Sequence, residues 1–293
     1  MPFLALPPAS RREFLRGALG AAAFAIARKP AGAAAAESWA LLSDTHVPQD
    51  PATMNRGYNI TANMRRVVEE VAKAPVRGAA ITGDLARTSG LQGDYQALKG
   101  LLEPLGSRMP LALGLGNHDH RANFLEAFGQ HPGTSGMVKG KHVLVIELAP
   151  VRLIMLDSLL YVNTTAGLLG KAQREWLGEY LRAASDLPTL LFLHHPLADN
   201  DGALLDTDRF LSIIRPHRKV KAVFYGHSHQ YRYQEDQGMH IVNLPAVGYS
   251  FGPEEPVGWV RANFTREGAD LTLHAVGGNR ELDGKTKSLA WRG

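Results

Sequence analysis

Five short apolar runs in this chain each end abruptly in a cluster of Asp, His or Asn, and that recurrence constrains the fold more than any other feature. Leu41-Leu42 runs into Ser43-Asp44-Thr45-His46, Ala80-Ile81-Thr82 into Gly83-Asp84, and Leu111–Leu115 into Gly116-Asn117-His118-Asp119. Further on, Leu191-Phe192-Leu193 leads to His194-His195-Pro196, and Val223-Phe224-Tyr225 leads to Gly226-His227-Ser228-His229. Short apolar runs bounded by turn residues read as buried strands. Segments of helical period lie between them, at Ile60–Ala74, Leu91–Leu105, Asn123–Phe128, Lys171–Ala184 and Asp206–Arg215. Two more strands are expected at His142–Leu148 and Arg152–Leu156. Such alternation predicts an α/β sheet with helical crossovers. From Tyr231 to Val276 strand follows strand, including Met239–Leu244, Trp259–Phe264 and Asp270–Val276, so that an antiparallel sheet finishes the mixed core. No Pro- or Ser-rich linker divides residues 37–293, which read as one domain.

In open α/β sheets, ligands bind outside the carboxyl ends of the strands, so the polar clusters are expected to converge. Residues two apart in extended chain point the same way, which lets Asp44 act with His46, and His227 with His229. The chain has no cysteine. Thiolate chemistry, disulfides and iron–sulfur clusters are therefore excluded. Imidazoles, carboxylates and an amide oxygen suit Fe, Mn, Zn or Co. A carboxylate has two oxygens, so one such residue can bridge a pair of ions.

The ordered series D-x-H, G-D, G-N-H-D, H-x-P and G-H-x-H over residues 39–230 resembles the calcineurin-like metallophosphoesterases. That resemblance implies a four-layer α/β/β/α sandwich with mixed sheets, its C-terminal part mainly antiparallel β. It further implies two divalent or mixed-valence transition-metal ions. Asp44, His46 and His229 would hold the first, Asp84 would bridge, and Asn117, His194 and His227 would complete the second. His195 would support rather than ligate. His118 would protonate the leaving oxygen while Asp119 holds its ring, with a hydroxide bridging the metals as nucleophile. The implied reaction is phosphoester hydrolysis. Leu156-Asp157-Ser158, Gly167-Leu168-Leu169-Gly170, Gln173 and Trp176-Leu177 resemble the branch of bacterial cyclic-nucleotide and glycerophosphodiester phosphodiesterases, which favours small-molecule phosphodiesters as substrates. A phosphomonoesterase, or a non-catalytic protein that binds metal and a phosphorylated ligand, is the alternative. Trp176, Leu177 and Leu181 sit at helical spacing and are expected in the core.

The chain has 293 residues, a formal charge of +4 and a pI of about 9.3, values that invite a nucleic-acid reading. Charge distribution removes the invitation. Residues 1–36 hold Arg11, Arg12, Arg16, Arg28 and Lys29 against Glu13, and the other 27 basic and 27 acidic side chains cancel. No nucleic-acid partner is expected. Ser10-Arg11-Arg12-Glu13-Phe14-Leu15-Arg16 resembles a bacterial twin-arginine signal, followed by an apolar run from Gly17 to Ala27 and small residues at Ala33–Ala36. That run is too short to span a bilayer. Residues 1–36 are thus expected to be a removable export signal read by the twin-arginine translocase, leaving a periplasmic or secreted protein with no stable membrane insertion.

Overall fold

A computed structural model describes residues 36–129 and 137–293, so the twin-arginine segment lies outside the described residues. The two large sheets have six strands each. The first runs β14-β13-β12-β1-β4-β5 and comprises β1 (Glu37–Leu42), β4 (Gly78–Ile81), β5 (Leu111–Leu113), β12 (Pro256–Phe264), β13 (Gly268–Gly278) and β14 (Thr286–Ala290). The second runs β10-β11-β9-β8-β7-β6 and comprises β6 (Leu144–Glu147), β7 (Arg152–Met155), β8 (Thr189–Phe192), β9 (Val220–Tyr225), β10 (Arg232–Asp236) and β11 (Met239–Asn243). A small hairpin, β2 (Met54–Asn55) with β3 (Tyr58–Asn59), stands apart from both.

The five strands that end in polar clusters are parallel within their sheets. β1, β4 and β5 are neighbours in one, β8 and β9 in the other. Parallel neighbours need a crossover. Helices α1 (Ile60–Lys73) and α2 (Gln92–Gly106) supply it around β4, and α4 (Lys171–Ala183) and α5 (Thr207–Ile214) around β8. A shorter helix, α3 (Arg121–Phe128), follows β5. The predicted antiparallel finish is divided: β12–β14 extend the first sheet beside β1, while β10–β11 extend the second, with β11 parallel to β9.

Side-chain alternation builds the layers. Trp39 and Leu41 of β1 face an inter-sheet core with Leu190, Phe192, Ala222 and Phe224, whereas Ala40 and Leu42 face α1 and α2. Likewise Leu191, Val223 and Tyr225 turn outward onto Leu177, Leu181 and Phe210 of α4 and α5. Strands covered on both faces must be apolar on both, which explains the continuous apolar runs in the sequence. The result is α/β/β/α. Leu177 and Leu181 are fully buried, as their spacing predicted, and Trp176 packs on the same cluster.

Phe192 and Phe224 stack across neighbouring strands with centroids 4.9 Å apart. Truncation there should leave a cavity between the sheets. Phe224→Ala is expected to lower stability by about 3–5 kcal/mol, read as a fall in the urea midpoint.

Candidate metal centre

All the polar clusters meet in one crevice between the ends of the sheets. Asp44 and His46 follow β1, Asp84 follows β4, Asn117 and His118 follow β5, His194 follows β8, and His227 and His229 follow β9. The backbone continues the sheet ladder into the loops: Asp44 N donates to Gly83 O, His46 N to Asp84 O, and Gly226 N to His194 O. Within this frame the chain bends sharply. Asp44, His46, Asp84, His227 and His229 all have positive φ, between 46° and 68°. They are five of the eight such non-glycine residues among those described. Left-handed backbone costs of order 1–3 kcal/mol per residue and persists where surrounding structure enforces it.

Two glycines show how close the loops come. A Cβ on Gly226 would lie 1.8 Å from Ser43 Oγ and 2.4 Å from Asp44 Oδ2. Gly83 has φ +142°, and a Cβ there would meet Gly116 N at 2.5 Å. The motif glycines are thus the contact points of four loops.

Asp44 Oδ1 lies 3.3 Å from His229 Nε2 and 3.9 Å from both His46 Nε2 and His194 Nε2. Asp84 Oδ2 lies 3.3 Å from His194 Nε2 and 3.7 Å from His46 Nε2. Potential donors cluster as Asp44–His46–His229 and as Asp84–His194–His227, and Asp84 also groups with His46 and His118. Asp84 therefore faces both halves of the crevice. Asn117 is buried, and its Oδ1 has no hydrogen-bond partner. Of the paired histidines, His194 faces the carboxylates. His195 Nδ1 instead meets Ser158 Oγ at 2.8 Å, which places it behind the cluster.

The donor set fits metal ions. The Nδ1 of His46 lies 3.1 Å from Arg87 O and that of His229 lies 2.6 Å from Tyr249 O, so both carry their proton there. Ligation requires both rings neutral with the Nε2 lone pairs turned into the site, and these two atoms are 3.1 Å apart and buried. Facing lone pairs in a dry site repel unless a cation lies between them. A spacing of 3.1 Å is within reach of two nitrogens that would share one ion at about 2.1 Å each. Burial lowers the pKa of His46 and of His227 to about 4, keeping both neutral and able to ligate. His194 differs. Burial alone would lower it, but the charges of Asp84 and Asp44 overcome that and raise it to about 9. Burial pushes Asp44 up, and His229 and His194 outweigh it to hold the carboxyl well below the usual range.

One expectation needs correction. Asp119 does not hold the His118 ring. Its buried carboxylate accepts from the amides of Leu85, Ala86 and Gly116 and from Tyr95 Oη at 3.0 Å. It is fully engaged in shaping the loop behind Asp84. The His118 ring rests on Thr88 O at 2.8 Å and Asn163 Oδ1 at 2.9 Å, and its backbone N donates to Asp84 Oδ1. Asn163 carried no sequence signal beyond a glycosylation-type sequon. Tyr249 and the half-exposed Phe251 wall the site, with rings 4.6 and 4.3 Å from that of His229. Asp157 and Gln173 are structural: Arg121 grips Asp157 bidentately at 2.6 and 2.7 Å, and Gln173 bonds its backbone. The basic connection after α5 is also engaged, Arg215 with Asp236 and Lys219 with Asp186.

Because His194 holds a proton at neutral pH in the metal-free chain, a metal must displace it. Metal uptake should release a proton, and apparent affinity should climb with pH up to about 9. Titration calorimetry in buffers of different ionisation enthalpy reads this directly; uptake without proton release would contradict it. Gly226→Ala would push Ser43 and the Asp44 carboxylate away from the β9 loop and should weaken metal binding at least tenfold, measured by competition with a chelator.

Residues 39–231 match the family described as calcineurin-like phosphoesterase. The chain is 32% identical over 236 residues to a probable cyclic nucleotide phosphodiesterase of Synechococcus sp., covering 78% of this chain and 88% of that one. It is 28% identical over 214 residues to a glycerophosphodiester phosphodiesterase of Enterobacter lignolyticus, covering 70% and 76%. A dimetal phosphatase of Danio rerio shares the fold, with a TM-score of 0.69 at 15% identity over 87% of this chain and 99% of the other. With the family match spanning every strand-end cluster of the crevice, this chain belongs to the calcineurin-like phosphoesterases and is a metal-dependent phosphoester hydrolase.

Proposed function

We propose that the protein is a phosphodiesterase acting on small-molecule phosphodiesters of the cyclic-nucleotide or glycerophosphodiester type. The observation that carries this reading is the pairing of two donor clusters, shared through Asp84, with an imidazole poised beside them. Relatives of both substrate types, each covered over most of its length, support the diester class. Asp44, His46 and His229 would hold one ion, Asn117, His194 and His227 the other, with Asp84 between. Bound there, the ions would make water a nucleophile at neutral pH and neutralise charge on the phosphoryl oxygens.

The chain's own residues do the rest. Burial of Asp44, His46, Asp84, His194 and His229 excludes bulk water from the reacting centre. Electrostatic interactions are stronger in such a low-dielectric site. With Nδ1 of His118 committed to Thr88 O, its Nε2 is the atom left to face the substrate. As the P–O bond breaks, its electron pair stays on the leaving oxygen, which takes a proton from His118 Nε2. Ser43 and Thr82 brace Asp44 from behind, with Thr82 Oγ1 2.5 Å from Ser43 Oγ.

Residues 1–36, with the twin arginines Arg11 and Arg12, support export through the twin-arginine translocase and a periplasmic or secreted location. That route carries folded proteins, which suits a protein that takes up its metals before crossing.

Two variants and a substrate panel test the reading. His118→Ala should retain metal and lose roughly 10²–10⁴-fold in kcat, the usual weight of general acid catalysis. Asp84→Ala should lose both metal and turnover, and equal activity in that variant and wild type would sink the proposal. The purified protein should prefer bis-p-nitrophenyl phosphate, cyclic AMP or glycerophosphodiesters over p-nitrophenyl phosphate under Mn, Fe, Co or Zn. A monoester preference under every metal would make it a phosphomonoesterase.

A further inference from the structure

We infer that Asn163, on the loop after β7, is the positioning residue for His118, the role the family resemblance had given to Asp119. The inference rests on His118 being the proton donor of the proposed phosphodiesterase. Nδ1 of His118 lies 2.8 Å from Thr88 O and 2.9 Å from Asn163 Oδ1. A backbone carbonyl only accepts, so Nδ1 must carry the hydrogen. The atom of Asn163 facing it must then be the amide oxygen, because an amide NH₂ there would set donor against donor. Asn163 Nδ2 then donates to Ser89 Oγ at 3.0 Å, a hydroxyl that accepts it in that orientation. Two acceptors on one N–H hold the ring plane and leave proton traffic to Nε2.

The position is built for this. Asn163 adopts φ 60°, a left-handed conformation that Asn tolerates better than most residues. Its own backbone N donates to Asn117 O at 2.7 Å, tying the loop to the strand end that carries His118. The loop is anchored at its root by buried charge. Asp157 accepts from Arg121, His142 N and Leu159 N, and Lys141 Nζ reaches the carbonyls of Asp157, Leu159 and Leu168 at 2.8–3.1 Å. Ser158 of the same loop meets His195 and accepts from His194 N. One loop therefore supports both the His194 backbone and the His118 side chain. Arg87, three residues after Asp84, is exposed, and its carbonyl serves His46. Asn163 supplies the side-chain acceptor for His118 Nδ1.

The test separates positioning from folding. Asn163→Gly keeps the left-handed backbone and the bond to Asn117 O while removing Oδ1. Asn163→Asp keeps an acceptor oxygen and tolerates the same φ. A misplaced proton donor matters most when the leaving group is basic. Asn163→Gly should therefore lose at least about tenfold more kcat on diphenyl phosphate than on bis-p-nitrophenyl phosphate, within the range general acids supply. KM and metal content by elemental analysis should hold, and Asn163→Asp should restore most of the difference. Equal losses on both esters, loss of metal, or no rescue by Asp would overturn the inference. A second readout needs no turnover. In the zinc-loaded chain, the His118 Nδ1–H resonance, assigned by its absence in His118→Ala, should exchange faster with water in Asn163→Gly than in wild type or Asn163→Asp. Unchanged exchange would overturn the inference. If wild type cleaves neither ester, the phosphodiesterase reading fails, and proton exchange alone still decides the part played by Asn163.

Discussion

Asp44 and Asp84 are both buried where the two sheets end, and the removal of their charges from water is what the surrounding structure must answer. Two anions in a dry crevice are costly unless paired or bound to metal. The chain answers in layers. Backbone amides of His118 and His227 donate to them, hydroxyls of Ser43 and Thr82 brace Asp44, and four imidazoles face inward from three other loops. His194 takes the share of that charge that no neutral donor can, which is why its proton is so firmly held. A divalent ion does the same work better. The cluster of carboxylates and imidazoles is thus shaped to receive positive charge.

Backbone strain follows from the same requirement. Five ligand-type side chains must turn from extended strands into one small volume within a residue or two, and left-handed φ achieves the turn. Asp, Asn and His are the residues that tolerate it best, so the chemistry and the conformation select the same amino acids. Glycine fills the remaining tight positions, since Gly83 and Gly226 lie against backbone and carboxylate with no room for a side chain. The short sequence motifs therefore encode geometry as much as ligand identity.

The layered fold was readable because parallel strands covered on both faces leave an unbroken apolar run, and helices between them leave a 3.6-residue rhythm. The candidate ligands were readable because each stands directly after such a run. What escaped was what local pattern does not record. β14 carries alternation too weak and too exposed to stand out, and the division of the C-terminal strands between sheets is a long-range choice. Asp119 was misassigned because adjacency to His118 suggested contact, whereas its carboxylate turns back onto the amides of the Asp84 loop. Asn163 was missed for the converse reason. It lies 45 residues from the ring it touches, in a loop with no periodicity.

The crevice draws its histidines from both ends of the chain: the rings of His46 and His229 meet although 183 residues separate them. No shorter stretch of polypeptide contains a complete first cluster. The first cluster is therefore complete only once β9 has taken its place beside β8. Metal uptake at that cluster is thus coupled to tertiary assembly of the fold. Whichever compartment hosts that last docking event supplies the ions the site will meet first.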